Sequence, residues 1–360
     1  MPKFQTKISQ LLDLSKKIIR RCCLENGAIV AANSTKSYFP KEAKNYFYVW
    51  PRDAAFTCIA ADLVGLNIQE KFFDWLSNRA EGWRETGLFY EKYYPNGLQA
   101  LNRFQPDQTG TILLAIYHHL KTTKNKKIIS KYKSLVIRSA EGICKVWRKD
   151  HFILITNDLW EERQCFPDLK ENFTYSLAAC IKGLECANKL FPSEKYVKIA
   201  KEMKKVLLKN AKEKGYFFRS FGKLNDERID SSLLGLVWPF EIVSPSDPLA
   251  KSTIRKINEK LVKNYGVYRY EHDEYDGWMY RTLHRKKGAG FWPLLNFWMA
   301  IVLNRMGKKE KMLKFYNKVI NSVDKFIPEQ IFDNNIQKSI SPLYWSHSMF
   351  IIASKELGYL

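Results

Sequence analysis

Two short acidic and aromatic sequences, far apart in the chain, carry the groups needed to cleave a glycosidic bond. The first is DLWEER at residues 158–163, and the second is PEQ at residues 328–330, followed by LYWSH at residues 343–347. One carboxylic acid can protonate the leaving oxygen while another carboxylate activates water. Aromatic rings offer flat apolar faces for the C–H faces of a sugar. Each sequence alone is more often a surface acid beside a core aromatic, so further residues must decide.

A third sequence, NYFYVWPRD at residues 45–53, is the densest in polar and aromatic groups. In a structural interpretation, Asp53 caps the helix that follows and Arg52 pairs with a carboxylate. In a functional interpretation, this guanidinium and carboxylate bind adjacent hydroxyls of one sugar through several directed hydrogen bonds. Such a pair would be specific for the sugar, because without it the buried polar groups would be unpaired.

The elements that must position these groups are helices. Apolar residues recur with a helical period almost throughout, and strand signals are limited to short pieces near residues 28–30 and 152–154. We predict about twelve helices, at residues 5–24, 53–66, 69–83, 107–122, 126–149, 171–189, 194–213, 230–238, 248–264, 290–306, 308–325 and 343–357. No Gly- or Ser-rich linker divides the chain, so we expect a single domain over residues 1–360.

Every second predicted helix is preceded by a polar and aromatic loop. These loops lie at residues 46–53, 103–107, 158–163, 228–230, 269–290 and 329–345. If inner and outer helices alternate around a ring, all the loops emerge at the same end and form one cleft. The sequence therefore predicts an all-α fold, an (α/α)6 barrel. The inner helix N-termini would offer free N–H groups to substrate oxygens or capping side chains.

Four motifs, in the order NYFYVWPRDA, NDLWEER, RYEHDEYDG and PEQ with LYWSH, resemble glycoside hydrolase family 15. This is the family of glucoamylases, glucodextranases and related exo-α-glucosidases. The resemblance extends from residue 27 to about residue 354. It implies a catalytic domain with an (α/α)6 barrel and an inverting mechanism, in which the two carboxyl groups stand about 6.5–9.5 Å apart to admit a water molecule.

The resemblance also implies roles for individual residues. By motif position, Glu161 is the general acid, Glu329 is the general base, and Tyr46 helps to hold the nucleophilic water. The other matched residues are implied to bind the sugar: Trp50, Arg52, Asp53, Leu159, Trp160, Glu162, Arg269 and Trp345. An acid that is protonated near neutral pH needs its pKa raised by burial or by a neighbouring anion.

Three departures from the family bear on the substrate. Fungal relatives have a Trp before the loop that corresponds to residues 101–105, where this chain reads LNRFQ, so the wall beside the acid is altered. Residues 276–289 exceed the usual glycine-rich turn, and their Trp278, Tyr280, Arg281 and His284 could either cover the cleft or remain in solvent. We expect no N-terminal β-sandwich of the kind common in bacterial and archaeal relatives, and this expectation favours short soluble oligosaccharides over granular starch.

The resemblance favours an exo-acting α-glucosidase that releases β-glucose from short α-linked gluco-oligosaccharides of the malto or isomalto type. A trehalase of the same family is the alternative. A non-catalytic regulatory module is a different class, since the large subunits of phosphorylase kinase resemble this family, but both acidic sequences are intact here. The linkage preference, the length of the substrate and the oligomeric state stay open.

Composition argues against several other classes. Lys and Arg number 59 against 37 Asp and Glu, a formal net charge of +22, yet the basic residues are scattered and no nucleic-acid-binding motif accompanies them. We therefore expect no nucleic acid partner. Seven irregularly spaced cysteines indicate reduced thiols and a cytoplasmic location. We expect no secretory signal and no membrane span. His118 and His119 should point apart on a helix, and neither a metal nor a cofactor is expected.

Overall fold

The computed structural model describes residues 2–123, 125–277 and 287–360. The α-helices in these ranges are α1 (Pro2–Cys22), α2 (Pro51–Val64), α3 (Gln69–Arg79), α4 (Trp83–Thr86), α5 (Pro106–Thr123), α6 (Lys126–Lys131), α7 (Lys133–Val146), α8 (Thr174–Leu190), α9 (Glu194–Lys214), α10 (Pro248–Lys260), α11 (Pro293–Arg305), α12 (Lys309–Ser322) and α13 (Tyr344–Glu356). Two 3-10 helices occupy Pro167–Leu169 and Ser231–Leu236.

Short strands pair as antiparallel two-stranded ribbons beside the helices. These are β1 (Tyr90–Tyr93) with β2 (Gln99–Phe104), β3 (Trp147–Arg148) with β4 (His151–Phe152), β5 (Thr156–Asn157) with β6 (Gln164–Cys165), β7 (Asn172–Phe173) with β8 (Ser220–Phe221), and β9 (Val262–Lys263) with β10 (Gly266–Val267). The ribbons lie in the connections that lead into or out of the helices.

The helices form two concentric rings. The inner ring runs α2, α5, α8, the 3-10 helix Ser231–Leu236, α11 and α13, and α13 closes the ring against α2. The outer helices pack on the inner ones: α1 on α13, α3 on α2, α7 on α5 and α8, α9 on α8, α10 on the 3-10 helix, and α12 on α11. The predicted (α/α)6 barrel is therefore confirmed.

Residue patterning explains which helices are inside. Every residue from 293 to 303 of α11 is buried, as is every residue from 344 to 354 of α13, because helices surrounded by other helices are apolar on all sides. The outer helix α9 buries one stripe at three- and four-residue spacing: Tyr196, Ala200, Met203, Leu207 and Ala211. Its other faces carry the lysines that contribute much of the positive charge.

Two glycines allow the inner helices α5 and α8 to approach closely. A Cβ atom on Gly110 would lie 2.4 Å from the carbonyl oxygen of Ala179, and one on Gly183 would lie 2.8 Å from the Cα atom of Gly110. Neither distance is possible for a side chain, so this crossing requires glycine on both helices.

The predicted helices have counterparts in the structure, with some differences. The segment predicted at residues 126–149 is two helices separated at Tyr132, whose ring packs on Phe73 while its hydroxyl donates to Asp74 Oδ1 at 3.2 Å. The segment at residues 230–238 is a 3-10 helix, which Asp230 caps through the N–H of Ser232. The hairpin of β1 and β2 was not predicted, because its alternation is short and polar.

The expectation that His118 and His119 point apart was wrong. Their Nδ1 atoms lie 2.8 and 2.7 Å from the two carboxylate oxygens of Asp62, so both rings converge on α2. The carboxylate therefore ties α5 to α2, and hydrogen bonds from the two rings outweigh burial to lower the pKa of Asp62.

The structure also bears on the cysteines, on membrane-spanning helices and on the loop at residues 276–289. All seven cysteines lie in the described ranges and are unpaired, and all except Cys23 are buried. Across the described residues, none of the helices combines the length and apolar character that crossing a bilayer would require. Trp278, Tyr280, Arg281 and His284, for which covering the cleft and remaining in solvent were both left open, lie outside the described residues.

Candidate active site

One pocket opens at the end of the barrel where the inner helices begin. Its volume is about 360 Å³, which is in the range for small-molecule sites. Every residue that the sequence assigned to the site lines it: Tyr46, Trp50, Arg52, Asp53, Leu159, Trp160, Glu161, Glu162, Arg269, Glu329 and Trp345. The barrel thus brings together side chains from loops that are distant in sequence, as the alternation of helices predicted.

The proposed acid, Glu161, lies on a tight loop between β5 and β6. Its backbone has a φ of 64°, in the left-handed region that a glutamate rarely occupies. The indole N–H of Trp50 donates to Glu161 Oε1, and Lys92 Nζ lies 3.5 Å from Oε2. The side chain is 25% exposed. The strained turn therefore presents the carboxyl group to the pocket rather than to the core.

Asp158 holds this acid loop in shape. Its Oδ1 atom accepts hydrogen bonds from the backbone N–H groups of Glu162 at 2.8 Å and Arg163 at 3.1 Å. Its Oδ2 atom accepts from Arg219 at 2.9 Å, and its carbonyl accepts from the Gln105 side chain at 2.7 Å. Asp158, Arg219 and Gln105 are buried, so the loop is fixed by contacts to two other parts of the chain.

Arg219 also reaches the other side of the acid loop. Its Nε atom lies 3.4 Å from Asp230 Oδ2, and its guanidinium stacks over the Tyr270 ring at 4.1 Å. Asp230 in turn accepts from the indole N–H of Trp160 at 3.0 Å. One buried arginine therefore links the two aspartates that hold the backbone and the tryptophan of the acid loop.

The proposed base, Glu329, is 4% exposed and accepts hydrogen bonds from two tyrosines. The Tyr46 hydroxyl donates to Oε1 at 2.8 Å, and the Tyr275 hydroxyl donates to Oε2 at 3.3 Å. Burial raises the pKa of Glu329 to about 7, opposed by the hydrogen bond from Tyr46 and the charge of Arg269. The carboxylate therefore ionises near neutral pH with two donors aimed at its charge.

An aromatic contact connects the two carboxyl groups. The rings of Tyr46 and Trp50 have centroids 5.5 Å apart, and they donate to Glu329 and Glu161 respectively. The two carboxyl groups thus flank one pair of adjacent rings within the same pocket.

Arg52 and Asp53 form a buried ion pair at the start of α2. Arg52 Nε donates to Asp53 Oδ1 at 3.1 Å, and Arg52 NH1 donates to Asp107 Oδ2 at 2.9 Å. The Arg52 guanidinium lies 5.3 Å from the centre of the Trp345 ring. Burial, followed by the opposing charge of Arg52 and the like charge of Glu161, brings the pKa of Asp53 to about 7.

The capping interpretation of Asp53 was wrong. Helix α2 begins at Pro51, its N-cap is Trp50, and this cap makes no side-chain hydrogen bond. Asp53 lies within the first turn, where its charge complements the helix dipole, but its carboxylate accepts from the Arg52 side chain. The structural expectation for Arg52, that it pairs with a carboxylate, is confirmed by Asp53 and Asp107.

Arg269 forms the opposite wall with the second glutamate of the acid loop. It binds Asp273 through two hydrogen bonds of 2.7 Å and donates to Glu162 Oε1 at 2.8 Å. The rings of Trp160, Tyr275 and Trp292 surround its guanidinium at 5.3, 4.9 and 5.0 Å. This arrangement fixes a planar cation among aromatic faces at the pocket wall.

Eight residues that line the pocket were not predicted from the sequence, and three of them, Lys92, Tyr275 and Trp292, contact the charged groups of the site. Tyr275 ends the RYEHDEY sequence, and Trp292 precedes the proline that begins α11, as Trp50 precedes Pro51 at α2. The sequence around Tyr275 and Trp292 therefore contained a local pattern that could have identified them. Lys92 had none, because it lies on the unpredicted strand β1. Phe104, from the altered stretch at residues 101–105, packs on Phe152 and does not line the pocket.

These groups suit acid–base chemistry on a neutral polyhydroxylated ligand. In the described ranges, no three or more His, Cys, Asp or Glu side chains are placed to hold a metal ion. An (α/α)6 barrel with two carboxyl groups, an arginine–aspartate pair and tryptophan walls in one pocket is typical of glycoside hydrolases. The chain belongs to the glycosyl hydrolases family 15, whose family model matches residues 77–355. The family predicted from the four motifs is confirmed.

Several relatives in the family are similar to this chain. It is 29% identical over 356 residues to an uncharacterized glycosyl hydrolase of Methanocaldococcus jannaschii, covering 92% of this chain and 53% of that protein. It is 25% identical to trehalase 1 of Sulfolobus acidocaldarius, over 72% of this chain and 43% of that enzyme. It is 21% identical to the isomaltose glucohydrolase of Kribbella flavida, over 98% of this chain and 94% of that enzyme. The chain thus spans about half the length of the first two relatives.

Solved structures show the same fold. A wild-type glycosidase superimposes with a TM-score of 0.81 at 20% identity, covering 99% of this chain and 98% of that one. A bacterial glucoamylase complexed with acarbose gives a TM-score of 0.73 at 19% identity, covering 97% of this chain and 55% of that one.

Proposed function

We propose that this protein is an inverting, exo-acting α-glucosidase that releases β-glucose from short α-linked gluco-oligosaccharides. The observation that carries the proposal is the pair of carboxyl groups in one pocket, Glu161 on a strained loop and Glu329 buried between two tyrosines. Family membership supports hydrolysis of a glycosidic bond. The arginine–aspartate pair at α2 supports binding of a terminal sugar.

The proposed reaction gives one task to each carboxyl group. Glu161 gives its proton to the glycosidic oxygen as the bond from that oxygen to the anomeric carbon breaks. Glu329 takes a proton from a water molecule whose oxygen attacks the anomeric carbon from the opposite face, so the configuration inverts. Tyr46 and Tyr275 stabilise the ionised form of Glu329 before attack, because both hydroxyls donate to it.

Binding of the terminal glucose would involve the buried charged groups. Arg52 and Asp53 are 3% and 6% exposed, and both line the pocket. Sugar hydroxyls could accept from the guanidinium and donate to the carboxylate. Trp160, Trp292 and Trp345 would supply apolar faces, and the Leu159 carbonyl is an acceptor for a sugar hydroxyl. The energy of binding would thus come from directed hydrogen bonds made in a site that excludes water.

A trehalase is the second candidate, because two relatives of this chain are trehalases of Sulfolobus acidocaldarius. The isomaltose glucohydrolase of Kribbella flavida, which matches almost end to end, favours a small α-glucoside with another linkage. Both candidates use one pocket for a terminal glucose and differ only in the group bound next to it.

We further propose that residues 1–360 form one domain that acts in the cytoplasm, in keeping with the unpaired cysteines.

A substrate panel tests the proposal. Purified protein is incubated with maltose, isomaltose, trehalose and longer malto- and isomalto-oligosaccharides, and free glucose is measured with time. Glucose should be released one unit at a time from at least one of these sugars, and the ratio of kcat/KM values identifies the linkage. Protein carrying Glu329→Gln, purified in parallel, excludes a contaminating glucosidase. Release from none of the sugars would overturn the proposed function, and release of larger fragments would overturn the exo mode.

A further inference from the structure

A second carboxyl group is buried behind the proposed acid. Glu91, on β1, has no exposed surface, and neither of its carboxylate oxygens has a hydrogen-bond partner among the described residues. It does not line the pocket, but its neighbour Lys92 does. A buried carboxylate without partners is costly, so its retention calls for a physical explanation.

The surroundings of Glu91 place it in one charge cluster with Glu161. Lys92 Nζ lies 3.6 Å from Glu91 Oε1 and 3.5 Å from Glu161 Oε2, so one ammonium stands beside both carboxyl groups. Arg103 NH1, on β2, lies 3.7 Å from Glu91 Oε2. Asp53, on α2, also faces Glu161. Both cations lie beyond hydrogen-bonding distance of Glu91, and neither satisfies its oxygens.

A proton between the two carboxyl groups resolves this conflict. The Glu161 carboxyl group lies within hydrogen-bonding reach of Glu91, but two ionised carboxylates only accept hydrogen bonds and repel each other. Burial, and then the charge and hydrogen-bonding contact of Glu161, raise the pKa of Glu91 above its ordinary range. With one proton, the pair forms an O–H···O⁻ hydrogen bond, and the buried oxygen gains a partner.

We propose that Glu91 is a positioning residue that shares one proton with Glu161 and so keeps that proton within reach of the leaving oxygen. The inference rests on the proposed role of Glu161. When Glu161 gives its proton to the leaving oxygen, both carboxylates are ionised beside Lys92. Their repulsion then favours uptake of a proton from solvent, which restores the pair for the next turnover.

The pH dependence of kcat/KM in Glu91→Gln tests the proposal. The alkaline limb should move to lower pH by about one unit or more, because the remaining acid no longer shares its proton with a second carboxyl group. The acidic limb, which we assign to Glu329, should stay in place. Glu91→Asp keeps the charge and should restore the alkaline limb towards that of the parent. Glu85→Gln removes the same charge from an exposed position on α4 and should change neither limb.

The outcomes separate this inference from a structural role and from failure of the proposed function. A structural role would lower activity at all pH values and leave the alkaline limb in place, which would overturn the inference. Infrared spectroscopy of the parent and of Glu91→Gln provides a second measurement, which needs no substrate. Above the pKa of about 7 of Glu329 and Asp53, the parent should keep a buried carboxyl C=O stretch that Glu91→Gln lacks. Absence of this stretch from the parent would overturn the shared proton. If the parent releases no glucose from any sugar, the proposed function fails, and the infrared titration still decides on the pair.

Discussion

At the scale of single residues, the two glutamates of the pocket have environments suited to opposite tasks. Glu329 is almost inaccessible and accepts from two tyrosine hydroxyls, which favours its ionised form once the pH passes about 7. Glu161 stands on a strained turn, partly exposed to the pocket, where it can reach a leaving oxygen. A base that must be charged and an acid that must meet the substrate are thus held by different kinds of contact.

Neutral replacements of the two glutamates test these assignments. Glu161→Gln and Glu329→Gln should each lower kcat by about 10²–10⁴-fold, the range expected for loss of a general acid or base. Steady-state kinetics on the best sugar of the panel measure the loss. Glu310→Gln, an exposed change on α12, serves as the control. Near-parental turnover in either pocket variant, with unchanged thermal unfolding, would contradict that residue's assignment.

Substitution of Asp53 tests sugar binding most directly. Asp53→Asn keeps the size of the side chain and removes its charge, and a hydrogen bond to a charged group contributes about 1.5–3 kcal/mol. We therefore expect kcat/KM to fall by at least about tenfold. Kinetics and thermal unfolding of the same preparation separate catalysis from stability. A fully active Asp53→Asn enzyme would leave Asp53 with a purely structural role in the pair with Arg52.

The tyrosines should set the acidic limb of the pH profile. Glu329 must be ionised to act, so kcat/KM should rise with pH through about 7, the pKa of that carboxyl. Burial raises this pKa, and the Tyr46 hydrogen bond opposes the increase. Tyr46→Phe should therefore move the acidic limb to higher pH. Tyr275→Phe should move it less, because that hydroxyl is 3.3 Å from Glu329 rather than 2.8 Å. Equal or opposite shifts would contradict the assignment of this limb to Glu329.

At the scale of elements, the acid loop depends on residues that never touch the pocket. The turn at Glu161 is strained, so it persists only because Asp158 and Asp230 hold its backbone and its tryptophan. Arg219, at the end of the α9–β8 connection, neutralises both aspartates. The geometry of the acid is therefore set by a segment about sixty residues further along the chain.

Removal of Arg219 should lower both the stability of the protein and its catalytic rate. Arg219→Met leaves two buried carboxylates without their cation, which costs about 3–5 kcal/mol when one partner of a buried ion pair is removed. Chemical denaturation measures the free energy of unfolding, and kcat should also fall because the acid loop loses its anchor. The matched control is Arg228→Met, whose 32% exposed side chain pairs with Asp226 and should contribute less than about 1 kcal/mol. Equal losses in the two variants would contradict a special role for Arg219.

The sequence predicted the elements that carry a local signal and missed those that do not. Arg52 could be identified because it lies in a contiguous aromatic motif at the start of α2, and Glu329 because it lies in the PEQ motif that is followed by LYWSH. Lys92 and Glu91 could not, since β1 is a short strand whose pairing with β2 depends on the fold. Arg219 likewise lies in a stretch with no motif, and its partners are distant in sequence. Long-range ion pairs leave no period or spacing in a sequence.

At the scale of the whole molecule, closure of the inner helix ring explains how residues from position 46 to position 345 come to line one pocket. Four of the six loops that enter the inner helices line the pocket. The loops at residues 103–107 and 228–230 do not, and they contribute instead Asp107 and Asp230, which bind Arg52 and Trp160. The net charge of +22 lies largely with lysines of the outer helices and does not enter the chemistry. The pocket itself gathers four acidic side chains, and arginines and a lysine pair with three of them.

The anomeric configuration of the first product tests the central claim most directly. Proton NMR during early turnover of an isomalto- or malto-oligosaccharide distinguishes newly released α- and β-glucose before they equilibrate. An inverting reaction between Glu161 and Glu329 predicts that the β-anomer accumulates first. If trehalose is the substrate, equal amounts of the two anomers should appear, since one glucose is attacked and the other leaves. Initial release of the terminal glucose as the α-anomer would show retention and contradict the assignment of Glu329 as a base that activates water.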